Sequence, residues 1–165
     1  SILNPILVMC MGLGYYFNMY KGMPLVREGG VIIMTHPTQP DFHPVHHPSY
    51  IDFFEQVLAD TTDPHVMSQK WEKQYAEDEW YKHLYRTTYA YHGVHPFYMW
   101  YWGSHALQHC SRIIIVGGDP KTVRRLGFVP ASTMDDALEI ASDVVGRAPT
   151  ITHLHSPPLM VADVS

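Results

Sequence analysis

The sequence predicts an α/β fold: an open, mostly parallel sheet of about four strands flanked by helices, with a His/Pro-rich loop and an aromatic helical insertion. Two observations carry this prediction. Short apolar runs rich in β-branched residues, typical of strands buried on both faces, occur at Val31–Met34 and Arg112–Val116. Amphipathic runs with helix-capping residues alternate with them, and such alternation predicts parallel strands joined by helical crossovers.

The amino-terminal segment has the pattern of an opening βαβ unit. Ile6–Met11 is an apolar strand candidate, Gly12-Leu13-Gly14 is a flexible turn, and Tyr15–Lys21 is an aromatic-rich helix. Pro24 suits the first position of a second short helix, which Gly29-Gly30 would close. The next strand follows directly.

Helical spacing dominates the middle of the chain. Ser49, three residues before Asp52, resembles a capping box and predicts a helix from there to about Ala59. Thr61–His65 is a predicted turn. Ser68 then precedes a long helix with charged and aromatic residues at helical spacing.

The run Phe97–Trp102 is almost entirely aromatic and lies between Gly93 and Gly103. It is too short to span a bilayer. Such a run either fills a core or forms the apolar wall of a pocket or interface, and burial preferences favour the core.

Two capped helices follow the Arg112–Val116 strand. Asp119 is the predicted N-cap of the first, and Thr133 caps the second, which Gly146 closes. Phe128-Val129-Pro130 is a short extended piece between them. The last strand of the predicted sheet is Thr150–His155.

Composition favours one globular domain, since the 165 residues are 46% hydrophobic and 16% charged. The formal charge of -5 and the few Lys and Arg residues argue against nucleic acid as a partner. Pro5 and Gly12 interrupt the apolar start, which has no basic flank, so neither a signal peptide nor a membrane span is expected.

The cysteine content indicates the compartment. Cys10 and Cys110 are the two cysteines of the sequence, and both lie beside apolar residues. This pattern favours a reduced, cytoplasmic protein over a disulfide scaffold. Because the sequence starts without Met and nearly inside a strand, we expect a piece of a longer protein.

The sequence contains twelve histidines, an unusually high number for its length. His36, His43, His46 and His47 lie in the Pro-rich loop after the Val31–Met34 strand, at the edge where open α/β sheets bind ligands. They are candidate ligands for zinc or nickel, although no Cys or carboxylate lies at strict ligand spacing, and turn or cap roles are the alternative. Two further pairs have ligand-like spacing: His105 with His109, and His153 with His155.

Two helix starts carry anion-binding patterns. Ser68–Gln74 gathers amide and ammonium donors where free N–H groups and the helix dipole favour a carboxylate, and a solvated first turn is the alternative. Gly117-Gly118-Asp119-Pro120 looks like a phosphate loop. However, Asp119 would place its own carboxylate where the anion binds, so a structural turn is favoured. The sequence contains no serine-nucleophile, zinc-protease or dinucleotide motif.

Four segments, in this order along the chain, share a pattern with one enzyme family: Gly12–Gly22, Val26–Ile33, Gln69–Gln74 and Arg112–Ala141. They resemble the carboxyl-terminal part of the lactate-racemase-like family, whose enzymes use a nickel-pincer nucleotide. The resemblance covers most of the chain and rests on α/β pieces in order rather than on one signature.

The resemblance implies a two-domain enzyme that racemises or epimerises a 2-hydroxy acid by transient hydride transfer to the pyridinium ring of its cofactor. The amino-terminal domain would supply the cofactor-bound lysine, the nickel ligand and the catalytic histidines. This chain would be a lid that faces a small carboxylate substrate. The residues expected on the substrate or cofactor side are Gln69, Lys70, Trp71, Lys73, Gly12 and Gly14.

The resemblance leaves open which of Lys70 and Lys73 matches the family lysine, because Ser68-Gln69-Lys70-Trp71 replaces the family's Asp-Gln-Trp-Gln order. The long His/Pro loop and the aromatic run indicate a substrate larger or more aromatic than lactate. Two other functions stay open beside this one. The first is a self-contained metalloenzyme or metal-binding domain that uses the loop histidines, and the second is an interaction module that uses Phe97–Trp102 as an assembly surface.

Overall fold

A computed structural model describes residues 4–15, 17 and 21–155. Within this part of the chain, one parallel three-stranded sheet has the order β1-β2-β3. Its strands are β1 (Val31–Thr35), β2 (Arg112–Val116) and β3 (Val129–Ala131). Val31 pairs with Arg112 and Ile114 pairs with Val129, so β2 is the central strand.

Helices pack around the sheet. They are α1 (residues 5–14), α2 (residues 48–60), α3 (residues 64–77), α4 (Glu79–Thr87), α5 (His95–His109), α6 (Pro120–Arg125) and α7 (Met134–Val145). The first three contain π-helical parts, which are Val8–Gly14 in α1, Phe53–Val57 in α2 and Ser68–Glu72 in α3.

The two faces of the sheet bury different layers. One face carries Ile113 and Ile115 of β2 into the main core, which the first, second, third and fifth helices complete with large side chains. Trp100, Tyr50, Phe53 and Phe97 are the largest fully buried ones. On the other face, Ile114 and Val116 pack with Ala137 and Ala141 of α7. Small residues on α7 let this helix approach the strands closely.

The predicted α/β fold with a parallel sheet is confirmed, but in the described part of the chain the sheet has three strands rather than four. Ile6–Met11 is helical, not extended. Asn4 caps α1 by accepting the backbone N–H of Ile6 at 3.0 Å, and Pro5 fits the first helical position. The predicted turn at Gly12-Leu13-Gly14 is also wrong, because these residues continue the helix and are buried.

Two other predicted elements differ from the structure. Residues 150–155 form no strand, and most of their side chains are exposed, so this run has no apolar face to bury in a sheet. Residues 24–29 form bends and turns instead of a short helix, with Gly29 at φ 71°. Of the predicted helix Tyr15–Lys21, Tyr15 is helical, and residues 16 and 18–20 lie outside the described part of the chain.

The capped helices are confirmed. Asp119 Oδ1 accepts the backbone N–H of Thr122 at 2.8 Å, and Thr133 forms a capping box with Asp136. Gly146 closes α7 at φ 82°. The long helix predicted after Ser68 starts earlier, at Pro64, and it is broken at Asp78.

The aromatic run lies in α5 and contributes mainly to the core. Phe97 and Trp100 are fully buried, and Trp100 Nε1 donates to the Thr62 carbonyl at 3.1 Å. Gly103 lets α5 lie directly on the Met9 backbone of α1, because a Cβ at this position would collide with the Met9 carbonyl. The core interpretation of Phe97–Trp102 is therefore confirmed for its two largest buried members.

Among the described residues, no helix has both the length and the apolar character needed to cross a bilayer. Cys10 and Cys110 are buried free thiols. Burial raises the pKa of Cys10, and it raises the pKa of Cys110 to about 11. Both thiols are therefore protonated and unreactive at neutral pH.

Candidate functional site

The predicted substrate-side donors lie on α3, with Gln69, Lys70 and Trp71 in its π-helical part and Lys73 directly after it. Lys70 Nζ and Trp71 Nε1 both donate to Asp60 Oδ2, at 2.8 and 2.9 Å. These hydrogen bonds hold the pKa of the Asp60 carboxyl below its ordinary value. The charge of Lys70 is thus already balanced by a carboxylate of the preceding helix.

Gln69 and Lys73 are the more accessible members of this group. They lie four residues apart, about one helical turn, and both are exposed. Among the described residues, Lys73 pairs with Glu77 at 3.8 Å, and its side chain is 83% exposed. An incoming carboxylate would therefore meet Lys73 with less competition than Lys70.

These donors lie near the amino edge of the sheet. Asp60 ends α2, and Thr62 just beyond it contacts Gly127, which immediately precedes β3. The His/Pro loop begins at the opposite, carboxyl edge, after Thr35. The fold therefore separates the predicted carboxylate-binding donors from the start of the histidine loop. Gly12 and Gly14, also expected on the substrate side, are buried, and Gly12 packs against Met34.

The loops that follow β1 and β2 pack against each other at the carboxyl edge of the sheet. The backbone N–H of Asp119 donates to the Pro37 carbonyl at 3.0 Å, and a Cβ at Gly118 would collide with Thr38 Oγ1. Thr38 is buried at φ 40°, a conformation that a β-branched residue rarely adopts. The Asp119 carboxylate accepts from Thr122, so Gly117-Gly118-Asp119-Pro120 is a structural turn, as predicted.

Three loop histidines form part of an imidazole–tyrosine cluster. Its members are His43, His46, His47, Tyr50, Tyr91 and His95. The Tyr50 hydroxyl lies 2.6 Å from His95 Nδ1. Tyr91 stacks on His95 and on His47, with ring centroids 4.4 and 5.4 Å apart. The cluster thus joins the histidine loop to α2 and to the segment that leads into α5.

Burial keeps the inner part of this cluster uncharged. It lowers the pKa of His47, which is 3% exposed, to about 4, and the neighbouring imidazoles of His46, His43 and His95 lower it further in the same direction. Burial also lowers the pKa of His95 and raises that of Tyr50. Both partners of this hydrogen bond are therefore uncharged at neutral pH.

Hydrogen bonds fix the proton position on the loop histidines. Backbone N–H groups donate to Nδ1 of His36, His43 and His47, so these rings carry their proton on Nε2 when neutral. His46 is different, because its Nδ1 lies 2.9 Å from the Tyr89 carbonyl oxygen, which can only accept. The Nε2 lone pair of His46 is therefore directed away from this bond, the arrangement usual in metal-ligating histidines.

Three of the four predicted metal ligands lie close together, and the fourth does not. The His43 and His46 rings are 4.2 Å apart, and each is 6.4 Å from His47. His36 instead bonds to Thr38 at the sheet edge. Within the described ranges, no group of three or more His, Cys, Asp or Glu residues is arranged to hold a metal ion.

The remaining histidine pairs are arranged differently. His109 Nε2 bonds to the Val26 carbonyl at 2.8 Å, whereas His105 is exposed on α5. The rings of His153 and His155 lie 4.1 Å apart. His109 thus has a structural hydrogen bond of its own and does not act together with His105.

A cleft that the sequence interpretation missed lies where α2, α3 and α4 meet. It has a volume of about 250 Å³ and is lined by two carboxylates, two amides and three aromatic side chains: Asp52, Asp78, Gln56, Gln74, Tyr75, Trp80 and Tyr81. We call it the acidic cleft. One local signal could have indicated it, since an Asp inside a long helical run marks a new helix start, and the break at Asp78 opens the cleft.

Comparison with protein-family models, with curated proteins and with solved structures gave no match to this chain. The resemblance to the lactate-racemase-like family therefore stays a prediction.

Proposed function

We propose that this chain is the carboxyl-terminal, substrate-side domain of a racemase or epimerase that acts on 2-hydroxy acids and is similar to lactate racemase. One observation supports the proposal most directly. Two of the segments that carry the resemblance, Val26–Ile33 and Arg112–Ala141, meet in space as neighbouring strands with their covering helix. Two segments that are distant in the sequence thus form one contiguous layer.

In this proposal, Gln69 and Lys73 face the substrate carboxylate. An ammonium and an amide one helical turn apart can each donate to one oxygen of a carboxylate. Lys70 and Trp71 have a positioning role, because their shared bond to Asp60 ties α3 to the end of α2. This division assigns the family lysine to Lys73 rather than Lys70.

The residues described here do not fit the metal part of a nickel-pincer nucleotide. They offer no group of three metal-ligating side chains, and the ammonium of Lys70 is held by Asp60. The proposal therefore assigns the cofactor and the proton-transferring groups to an amino-terminal domain of the same protein. The free thiols of Cys10 and Cys110 support a cytoplasmic location for such an enzyme.

The test uses the natural full-length protein with its cofactor loaded, and the isolated chain beside it. Each is incubated with one enantiomer of lactate or of phenyllactate, and the other enantiomer is measured by chiral chromatography. We expect interconversion by the full-length protein and none by the isolated chain. Turnover by the isolated chain, or none by the full-length protein with either acid, would overturn the proposal.

Variants then separate the roles of the two lysines. Lys73→Ala should raise KM by about 10- to 100-fold, the effect of losing one charge-assisted hydrogen bond to the substrate. Lys121→Ala, which removes an exposed lysine of α6, is the matched control and should leave KM unchanged. If Lys73→Ala behaves like Lys121→Ala, the assignment of Lys73 is wrong.

Metal binding by the histidine loop is the second candidate function. The observation that favours it is the Nδ1 bond of His46 to the Tyr89 carbonyl, which leaves Nε2 as the ligating atom. A metal there would need ligands beyond the one that His46 offers. This candidate is therefore a weaker site than the self-contained metalloenzyme that the sequence suggests.

A further inference from the structure

The acidic cleft has two carboxylates without a cationic partner. Asp52 and Asp78 form no ion pair with any described residue, and the cleft lining contains no Lys, Arg or His. The nearest lysine along the chain, Lys82, is held by Glu79 at 2.6 Å. The cleft is therefore a local concentration of negative charge in a chain whose net charge is already -5.

Tyr81 lies between the two carboxylates and bonds to both, one through its hydroxyl and the other through its backbone. Its hydroxyl donates to Asp52 Oδ2, and its backbone N–H donates to Asp78 Oδ1 at 3.0 Å. Gln56 Nε2 donates to the other oxygen of this carboxylate, Asp52 Oδ1, at 3.3 Å. Asp78 Oδ2 accepts no bond from the described residues, and each Asp52 oxygen accepts one of the two bonds that it can form, so acceptor capacity remains at both ends of the cleft.

Tyr75 provides an independent sign of a ligand. Its side chain is 3% exposed, and its hydroxyl has no hydrogen-bond partner among the described residues. The ring is fixed by stacking on Tyr81 and by an edge contact with Phe97. Tyr75 lines the cleft together with Asp52 and Asp78. A buried hydroxyl without a hydrogen-bond partner destabilises the fold. We therefore expect a ligand to supply the missing partner.

We propose that the acidic cleft binds a small aliphatic amine, and that a diamine with one ammonium at Asp52 and one at Asp78 is the preferred ligand. Six of the seven lining side chains carry an oxygen that can accept a hydrogen bond, which suits the N–H donors of a primary ammonium. The exposed indole of Trp80 offers a cation–π surface at the mouth. An anion is excluded by the two carboxylates.

The test is calorimetric titration of the chain at pH 7 with 1,4-diaminobutane. Butylamine, with one ammonium, and 1,4-butanediol, with none, are the comparison probes. We expect saturable binding in the order diamine, monoamine, diol, with diamine affinity falling as salt screens the carboxylates. No saturable binding of the diamine, or equal binding of the diol, would overturn the proposal.

Asp78→Asn is the decisive variant, because Asn caps a helix about as well as Asp and thus keeps the start of α4 intact. We expect it to weaken diamine binding by about 10- to 100-fold. Asp135→Asn removes an exposed carboxylate outside the cleft, in the first turn of α7, and should leave the affinity unchanged. Tyr75→Phe should weaken binding severalfold with the fold retained by circular dichroism. Equal losses in Asp78→Asn and Asp135→Asn would overturn the proposal, since they would show only a general charge effect.

Discussion

The hydroxyl of Tyr50 and Nδ1 of His95 form a 2.6 Å hydrogen bond between α2 and α5. Tyr50 is fully buried, and burial disfavours charge on both partners. The bond is therefore a neutral contact in a low-dielectric environment, where losing one partner leaves the other unsatisfied. It links two helices of the main core at the same place where the histidine loop packs.

Replacing Tyr50 by Phe should lower the free energy of unfolding by about 1–3 kcal/mol, because Nδ1 of the half-buried His95 would lose its hydrogen-bond partner. Urea denaturation followed by circular dichroism measures this change. Tyr89→Phe is the matched control, since Tyr89 is 83% exposed and its hydroxyl makes no described hydrogen bond. Equal effects of the two substitutions would contradict the role assigned to the Tyr50–His95 bond.

Stability should depend on pH through His47. Its folded-state pKa of about 4 lies below the ordinary 6.5, so the unfolded chain binds more protons between these values. The contribution of His47 is thus fully present above pH 6.5 and is lost as pH falls toward 4, by at most about 3 kcal/mol. Urea denaturation from pH 4 to 8 measures the slope.

The control for this pH dependence is a pair of variants. His47→Gln retains a hydrogen-bond acceptor without titrating and should flatten the slope between pH 4 and 6.5. His105→Gln, at an exposed position on α5, should leave the slope as it is. If both variants keep the wild-type slope, another group is responsible for the acid sensitivity.

Gly103 should not tolerate alanine, although Ala normally stabilises a helix interior by about 1 kcal/mol relative to Gly. The added Cβ would collide with the Met9 carbonyl, so α5 would have to move away from α1. We expect Gly103→Ala to destabilise the fold by about 1–3 kcal/mol, as overpacking does. Thermal denaturation checks this, with the exposed His105→Ala as control. A stabilised Gly103→Ala variant would show that the two helices are not in this contact.

Local signals account for the parts of the fold that the sequence predicts well. Asp119 and Thr133 cap their helices by accepting the backbone N–H of the residue three positions later. After Arg112, the β2 strand is an uninterrupted run of β-branched residues. Ile6–Met11 was misassigned because a short apolar run has no periodicity that separates a buried strand from a buried helix. The Asn4 cap with Pro5 was the local signal that distinguishes them.

The candidate sites depend on contacts that are distant in sequence. Lys70 bonds to Asp60 on the preceding helix, and Tyr50 bonds to His95, which lies 45 residues further along the chain. The spacing in the sequence predicts that the loop histidines lie close together. It does not predict which of their ring nitrogens accept backbone N–H groups. The acidic cleft was missed for the same reason, because three separate helices contribute its lining.

The capping box of α7 should contribute measurably to stability. Thr133→Ala removes the acceptor of the Asp136 backbone N–H and should cost about 1 kcal/mol. Thr133→Ser keeps the hydroxyl and should recover most of that loss. Ser132→Ala, at the adjacent exposed position, serves as the control in the same denaturation series. A Thr133→Ala variant as stable as Ser132→Ala would contradict the capping role.

The histidine loop should bind zinc or nickel only weakly. Nδ1 of His43 and of His47 accepts backbone N–H groups, so neither ring can ligate a metal without losing these bonds, and His46 alone offers an unengaged Nε2. A single imidazole is far from the three or four ligands of a zinc site. Calorimetric titration should therefore show weak binding that His46→Ala removes and His105→Ala leaves unchanged. Tight 1:1 binding that is lost in a His43→Ala variant would contradict this prediction, because it would require the loop to rearrange around the metal.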